Sequence, residues 1–455
     1  MNTTTIPKSV ATIFLLSSIY WLYLALHTHM LLSYDASNYE ELGKMLQSKG
    51  LIFFLKTGPQ REPMYPLLVA ISMNLEQLLG ITYTKIMAIF GVLILQCTQI
   101  LMYLLLKKLN IRTWICLVVL GYFALSPAMT NTAMSLFSEI AAYPFILGII
   151  LSSYLGWKAA QEHKIKSACG YVAIAGIMFT GATFVKAIFE GICPAYLFIL
   201  LLAGAYKRKV FPYLIYFITA ACVLFYLPVV GYKSLNKIYN GNYTIANRGP
   251  VGLYGNVARR VEPLNPRKYL AALAYVPGES VCASHFKPEE CLFWSFQESD
   301  LLGAQKSAEL NSQHLTSDAT AKKLLSLSKE KVLNHPFQYT LLTATESLKM
   351  YFWESTQIGF VTYPSWLTRL YQNPLLKNML RLWMSALTLF ALLYCCFSLK
   401  RLPVPMTHIL CIILLFVGFY SFFTILPRYI LPIAPLYLIT IGYSINDLLS
   451  KKREH

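Results

Sequence analysis

The chain carries only four aspartates, at 35, 300, 318 and 447. The first stands just past the first hydrophobic stretch, in Ser33-Tyr34-Asp35-Ala36-Ser37-Asn38-Tyr39-Glu40. Beyond the helix that this run should open comes Gln60-Arg61-Glu62-Pro63-Met64-Tyr65-Pro66. A carboxylate at the mouth of a membrane helix can take a proton from a hydroxyl, and a nearby arginine can hold an anionic leaving group. The pairing points to group transfer at a membrane surface. An acid favoured by the dipole of a helix N-terminus is an equal reading of Asp35.

Other ionisable residues stand where a membrane chain has few. Glu139 lies a few residues into a hydrophobic stretch, in Ser138-Glu139-Ile140; a carboxylate at that depth serves chemistry or knits helices together. Lys186 and Glu190 are one helical turn apart and can pair with each other, or Lys186 can reach an anion. Arg428 and Tyr429 sit in Pro427-Arg428-Tyr429-Ile430-Leu431-Pro432 at the external end of the last hairpin, against the charge bias of the chain. An anionic ligand explains that cation; a snorkelling interfacial arginine is the rival explanation. His27 and His29 fall on different faces of a helix, so no metal site is expected.

These residues need a frame of helices. The 455 residues are 56% hydrophobic and 13% charged, with mean hydropathy +0.50, a polytopic membrane profile. About ten apolar stretches are long enough to be candidate spans: 10–32, 83–106, 113–126, 131–156, 168–184, 187–206, 210–231, 378–398, 408–425 and 430–448. The net charge of +18 would suggest nucleic acid until the clusters are placed. Lys107-Lys108, Lys164, Lys166, Lys207-Arg208-Lys209, Lys400-Arg401 and Lys451-Lys452-Arg453 all fall on one side of such a bundle, the positive-inside pattern. Both termini are therefore expected in the cytoplasm, the first span is expected to be a retained helix rather than a signal peptide, and nucleic-acid binding is rejected.

The expected organisation is a membrane domain over 1–231 with a first external loop at 33–82, an external region at 232–377, and membrane helices over 378–455. Ser37-x-x-Glu40 has the form of a capping box, followed by a surface helix that stops at Gly50, and a second surface helix runs from Leu67 to Leu79. The Gly- and Asn-rich stretch 240–256 reads as an ordered loop, and helices are expected over 321–333 and 336–353. Cys282 and Cys291, nine apart in a polar segment, read as one short disulfide loop in an oxidising compartment. No Walker A sequence, Asp-x-Asp or Gly-x-Ser-x-Gly occurs, so a nucleotide-sugar or ATP site is unsupported and no cofactor is expected.

In order along the chain, Asp35, the helix after it, Arg61-Glu62-Pro63-x-Tyr65-Pro66, Ser138-Glu139 and Pro427-Arg428-Tyr429-x-x-Pro432 resemble the GT-C membrane glycosyltransferases. The likeness is to the bacterial branch akin to protein O-mannosyltransferases and the lipid A aminoarabinose transferase. Asn247-Arg248-Gly249-x-x-Gly252-Leu253-Tyr254-Gly255-Asn256 is similar to a loop of that branch. The resemblance implies a GT-C-like all-α fold and a bacterial plasma-membrane enzyme with its site facing the periplasm. It also implies a polyprenyl-phosphate sugar donor and inverting transfer to a glycan, glycolipid or protein acceptor. Asp35 would be the base and Arg61, Lys186, Arg428 and Tyr429 would hold the lipid phosphate. Glu62, Tyr65, Glu139, Asn247 and Tyr254 would contact substrate. Many members carry a second acid beside the aspartate; here Ala36 takes that place, which argues against a metal or a two-acid mechanism. A lipid-linked oligosaccharide ligase or polymerase and a lipid-linked sugar flippase are the rival readings.

Overall fold

In this computed structural model residues 6–58, 60–206, 211–355, 360–423 and 425–451 are described, with backbone alone over 203–206, 211–218, 220 and 221. Lys207, Arg208, Lys209, Lys452 and Arg453, used in the charge argument, lie outside them. The described chain folds into twenty-one α-helices and one short strand pairing. Among the described residues, seven helices are long and apolar enough to cross a membrane: Lys8–His27, Tyr83–Lys108, Glu139–Gln161, Ile165–Val185, Pro374–Phe397, Val404–Ser421 and Pro427–Lys451. An eighth span results if the bent pair Thr113–Leu125 and Pro127–Met134 counts as one. The chain is an all-α, multi-pass membrane protein.

The 46° bend in that pair has a local cause. Pro127 has no N–H to continue the first helix, and the Ser126 side chain caps the second by accepting from the Met129 N–H. Glu354, from the far side of the sequence, accepts the Ala128 N–H at 3.0 Å and the hydroxyls of Tyr122 and Ser126 at 2.6 and 2.7 Å. The expected span 131–156 is thereby shortened: residues up to Met134 belong to the bent pair, and the long helix begins at Glu139.

One further expectation is corrected in the first external loop. No capping box forms at Ser37, whose hydroxyl instead donates to the Tyr34 carbonyl at 2.7 Å, and the helix starts at Asp35. Gly50, at φ +76° and ψ 176°, breaks the helix where a stop was expected, and a second helical segment carries the chain on to Lys56. The second helix, Met64–Leu79, packs back on the first through Gly43, where an added Cβ would lie 2.4 Å from the Val69 side chain. His29–Met30 pairs antiparallel with Val361–Thr362, which ties the end of the first span to the segment before the last three spans.

Above the bundle, helices from Arg248–Arg260 to Pro336–Ser347 form a cap with small cores of its own. The stretch expected to be loop up to 256 becomes helix from Arg248 onward. Cys282 and Cys291 are disulfide-bonded with their Cα atoms 5.8 Å apart. The cap is keyed by a buried ionic knot that sequence spacing gave no hint of. Glu346 accepts from Arg259 at 2.6 Å, Arg260 at 2.8 Å and Lys349 at 2.7 Å, and Arg260 also donates to the Ser421 carbonyl at 2.7 Å. That last bond fixes the cap to a membrane helix.

Candidate active site

Asp35 is the first residue of its helix, preceded by Tyr34 in the left-handed region (φ 53°) with its ring exposed. The strained turn and the helix N-terminus point the carboxylate into a cavity of about 1500 Å3 between bundle and cap. Arg61 donates to one carboxylate oxygen and Arg428 to the other, while Arg248 stands 3.7 Å away. Burial alone would raise the Asp35 pKa. The three guanidinium groups, Arg61 foremost, overcome that and hold it at about 2.

Each arginine is itself oriented. Arg61 Nε donates to Asn38 Oδ1 at 3.0 Å and its guanidinium lies 5.0 Å from the centre of the Tyr39 ring. Tyr39 in turn shares a 2.8 Å hydrogen bond with Ser138. Arg428 lies over the Phe137 ring at 4.8 Å and near its neighbour Tyr429 at 5.6 Å. Two planar cations thus face one carboxylate from opposite ends of the sequence, on a scaffold of aromatic rings.

Beside this centre the Glu139 and Lys186 side chains form a buried ion pair at 3.0 Å. Lys186 does not pair with Glu190, which instead accepts from Lys233 at 2.6 Å. Glu62 accepts the Ala187 N–H at 3.0 Å and so pins the arginine-bearing turn to the joint before the helix Phe189–Tyr206. Asp35, Arg61, Glu62, Glu139, Lys186, Asn247, Arg428 and Tyr429 all line the one cavity. Tyr65 and Tyr254 do not. Tyr65 is buried edge-on against Tyr39, and Tyr254 packs with Leu310 and Leu324 inside the cap.

Sequence reasoning passed over Arg248, which stands beside Asn247 but was read as part of a loop; only its helix turns it toward Asp35. It also passed over the cap wall, where Gln297, Asp300, Ser307, Asn311 and Thr320 present neutral and acidic polar groups to the cavity. Their spacing carries no motif. No group of three or more His, Cys, Asp or Glu side chains able to hold a metal occurs among the described residues.

A carboxylate clamped by two arginines at the edge of a large polar cavity suits an anionic ligand. A phosphate can take the arginines over, leaving the carboxylate free to accept a proton. Compared with models of known protein families and with curated proteins, the chain finds no match.

Proposed function

We propose that this membrane protein is an inverting glycosyltransferase that moves a sugar from a polyprenyl-phosphate donor to an acceptor hydroxyl at the external face of the membrane. The observation that carries the reading is the Asp35 carboxylate held between Arg61 and Arg428 on the wall of the cavity. On this reading the donor phosphate binds the two guanidinium groups and displaces Asp35 from them. The acceptor O–H gives its proton to Asp35 as its oxygen bonds to the anomeric carbon. The bond from that carbon to the phosphate oxygen breaks on the opposite face, and its electron pair leaves on the polyprenyl phosphate. Configuration at carbon inverts.

The arginines matter most as that bond breaks, because the leaving phosphate gains charge where water is scarce. Lys186 is already paired with Glu139, so it supports the field of the site rather than offering a free contact. An apolar bundle suits a polyprenyl tail, and the polar cap wall suits a hydroxyl-rich acceptor. The reading carries with it the finer expectations of a GT-C-like fold with about ten spans and a bacterial plasma-membrane location facing the periplasm.

Purified full-length protein given a radiolabelled polyprenyl-phosphate sugar and envelope acceptors tests it. Release of polyprenyl phosphate with label on an acceptor supports the transferase. Movement of intact donor across a vesicle membrane without cleavage would make the protein a flippase instead.

A further inference from the structure

Among the described residues, six cations line the cavity: Arg61, Lys186, Arg248, Lys377, Arg381 and Arg428. Four of them have a carboxylate at ion-pair distance, Asp35 or Glu139. Among the described residues, Lys377 and Arg381 have none. They stand on the helix Pro374–Phe397, whose first two turns they occupy four residues apart, and so on one face. That placement is unfavourable twice over. Lys377, in the first turn, meets the positive end of the helix dipole, and like charges at this spacing repel.

Arg381 is also held in place. Its guanidinium lies 6.0 Å from the centre of the Phe352 ring, and its buried Nε has no hydrogen-bond partner. Gly278 of the cap, at φ +139°, makes room for it: a Cβ there would stand 2.5 Å from Arg381 Nη1. A cation positioned at the expense of like-charge repulsion and an unmet donor, and facing a polar cavity, is arranged for an anion from outside the chain.

We propose that Lys377 and Arg381 form a second anion-binding subsite, distinct from the Arg61–Arg428 pair, which takes a phosphate or carboxylate group of the acceptor. The assignment to the acceptor rests on reading the cavity as a transferase site. The donor of that reading has one phosphate, already met by Arg61 and Arg428, so the remaining anion belongs to the other substrate. The acceptor class this selects is a phosphorylated or acidic glycan or glycolipid.

The test uses the full-length protein in phosphatidylcholine nanodiscs, with inorganic phosphate and undecaprenyl phosphate as probes. Binding of inorganic phosphate is read by 31P line broadening after undecaprenyl phosphate has saturated the donor site. Wild-type protein should still bind phosphate, and Lys377→Met/Arg381→Gln should weaken that binding at least fivefold. Undecaprenyl phosphate affinity should stay within twofold of wild type in that variant and fall in Arg428→Ala. Arg381→Lys, which keeps the charge, should retain phosphate and serves as the folded control. Phosphate binding that is absent from donor-saturated wild type, or unchanged in the double variant, overturns the subsite. Loss of undecaprenyl phosphate by the double variant to the extent seen in Arg428→Ala overturns it too, because the pair would then serve the donor. Should undecaprenyl phosphate fail to bind wild type, the donor reading falls, while phosphate binding sensitive to Lys377 and Arg381 would still support an anion subsite.

Discussion

Asp35 and Arg428 are 393 positions apart in the sequence and share one ion pair at the wall of the cavity. Nothing local to either residue produces that contact. The first external loop carries one partner, the turn into the last span carries the other, and the bundle between them brings the two together. Arg61 completes the clamp from the second turn of the same loop.

Removing Arg428 should reveal which anion it serves. Arg428→Ala deletes a charge-assisted contact, and the donor should bind about 10- to 100-fold more weakly by the usual strength of such bonds. Equilibrium binding of undecaprenyl phosphate to purified protein measures it. Unchanged affinity would remove Arg428 from the donor site.

The Asp35 pKa of about 2 makes a prediction about pH. In the free protein the arginines keep the carboxylate ionised far below its usual range, so kcat/KM should show no acid limb from Asp35 at or above pH 4. In the donor complex the phosphate draws the arginines away and the pKa rises, so the acid limb in kcat should lie at higher pH than that in kcat/KM. The same depressed pKa contributes to stability above the unfolded value near 3.8, and that contribution is lost as pH falls toward 2. Coincident acid limbs in the two profiles would contradict the exchange of partners.

The buried pair Glu139–Lys186 should matter more broken than absent. Glu139→Gln leaves a buried ammonium unpaired and should cost roughly 3–5 kcal/mol, while Glu139→Gln combined with Lys186→Met should recover much of the loss. Thermal unfolding in nanodiscs compares the three proteins. Equal loss in single and double variants would mean that the pair is not coupled.

The cap knot is expected to behave in the same way. Glu346→Gln removes the carboxylate shared by Arg259, Arg260 and Lys349, and should cost about 3–5 kcal/mol and loosen the cap. Hydrogen exchange over 248–351 reads the loosening directly. A cap as protected as wild type would show that the knot is not what holds it.

Much of the frame was legible because membrane helices announce themselves by apolar length, and Asp35, Arg61, Glu139, Lys186 and Arg428 stood out as charges in an apolar chain. What spacing could not give were the pairings. Lys186 had a carboxylate one turn away in Glu190, yet tertiary packing joined it to Glu139 across two helices. Arg248 was hidden because glycine and asparagine around it argued for loop, whereas contacts within the cap made helix. The break at Ser126-Pro127 has its local cause in Pro127, but the Glu354 carboxylate that satisfies the groups around it lies more than two hundred residues later, and no local signal marks that partner.

The central claim is that Asp35 takes the acceptor proton, and turnover of Asp35→Asn tests it most directly. Asparagine keeps the size but cannot accept the proton, and it leaves Arg61 and Arg428 free for phosphate. Release of polyprenyl phosphate from a polyprenyl-phosphate sugar, measured on folded purified protein at saturating donor, should fall by roughly 10²–10⁴-fold. Undecaprenyl phosphate affinity should hold or tighten, since the competing carboxylate charge is gone. Near-normal turnover in Asp35→Asn would contradict the account and turn attention to Glu62 and Glu139, the other carboxylates of the sequence motifs that line the cavity.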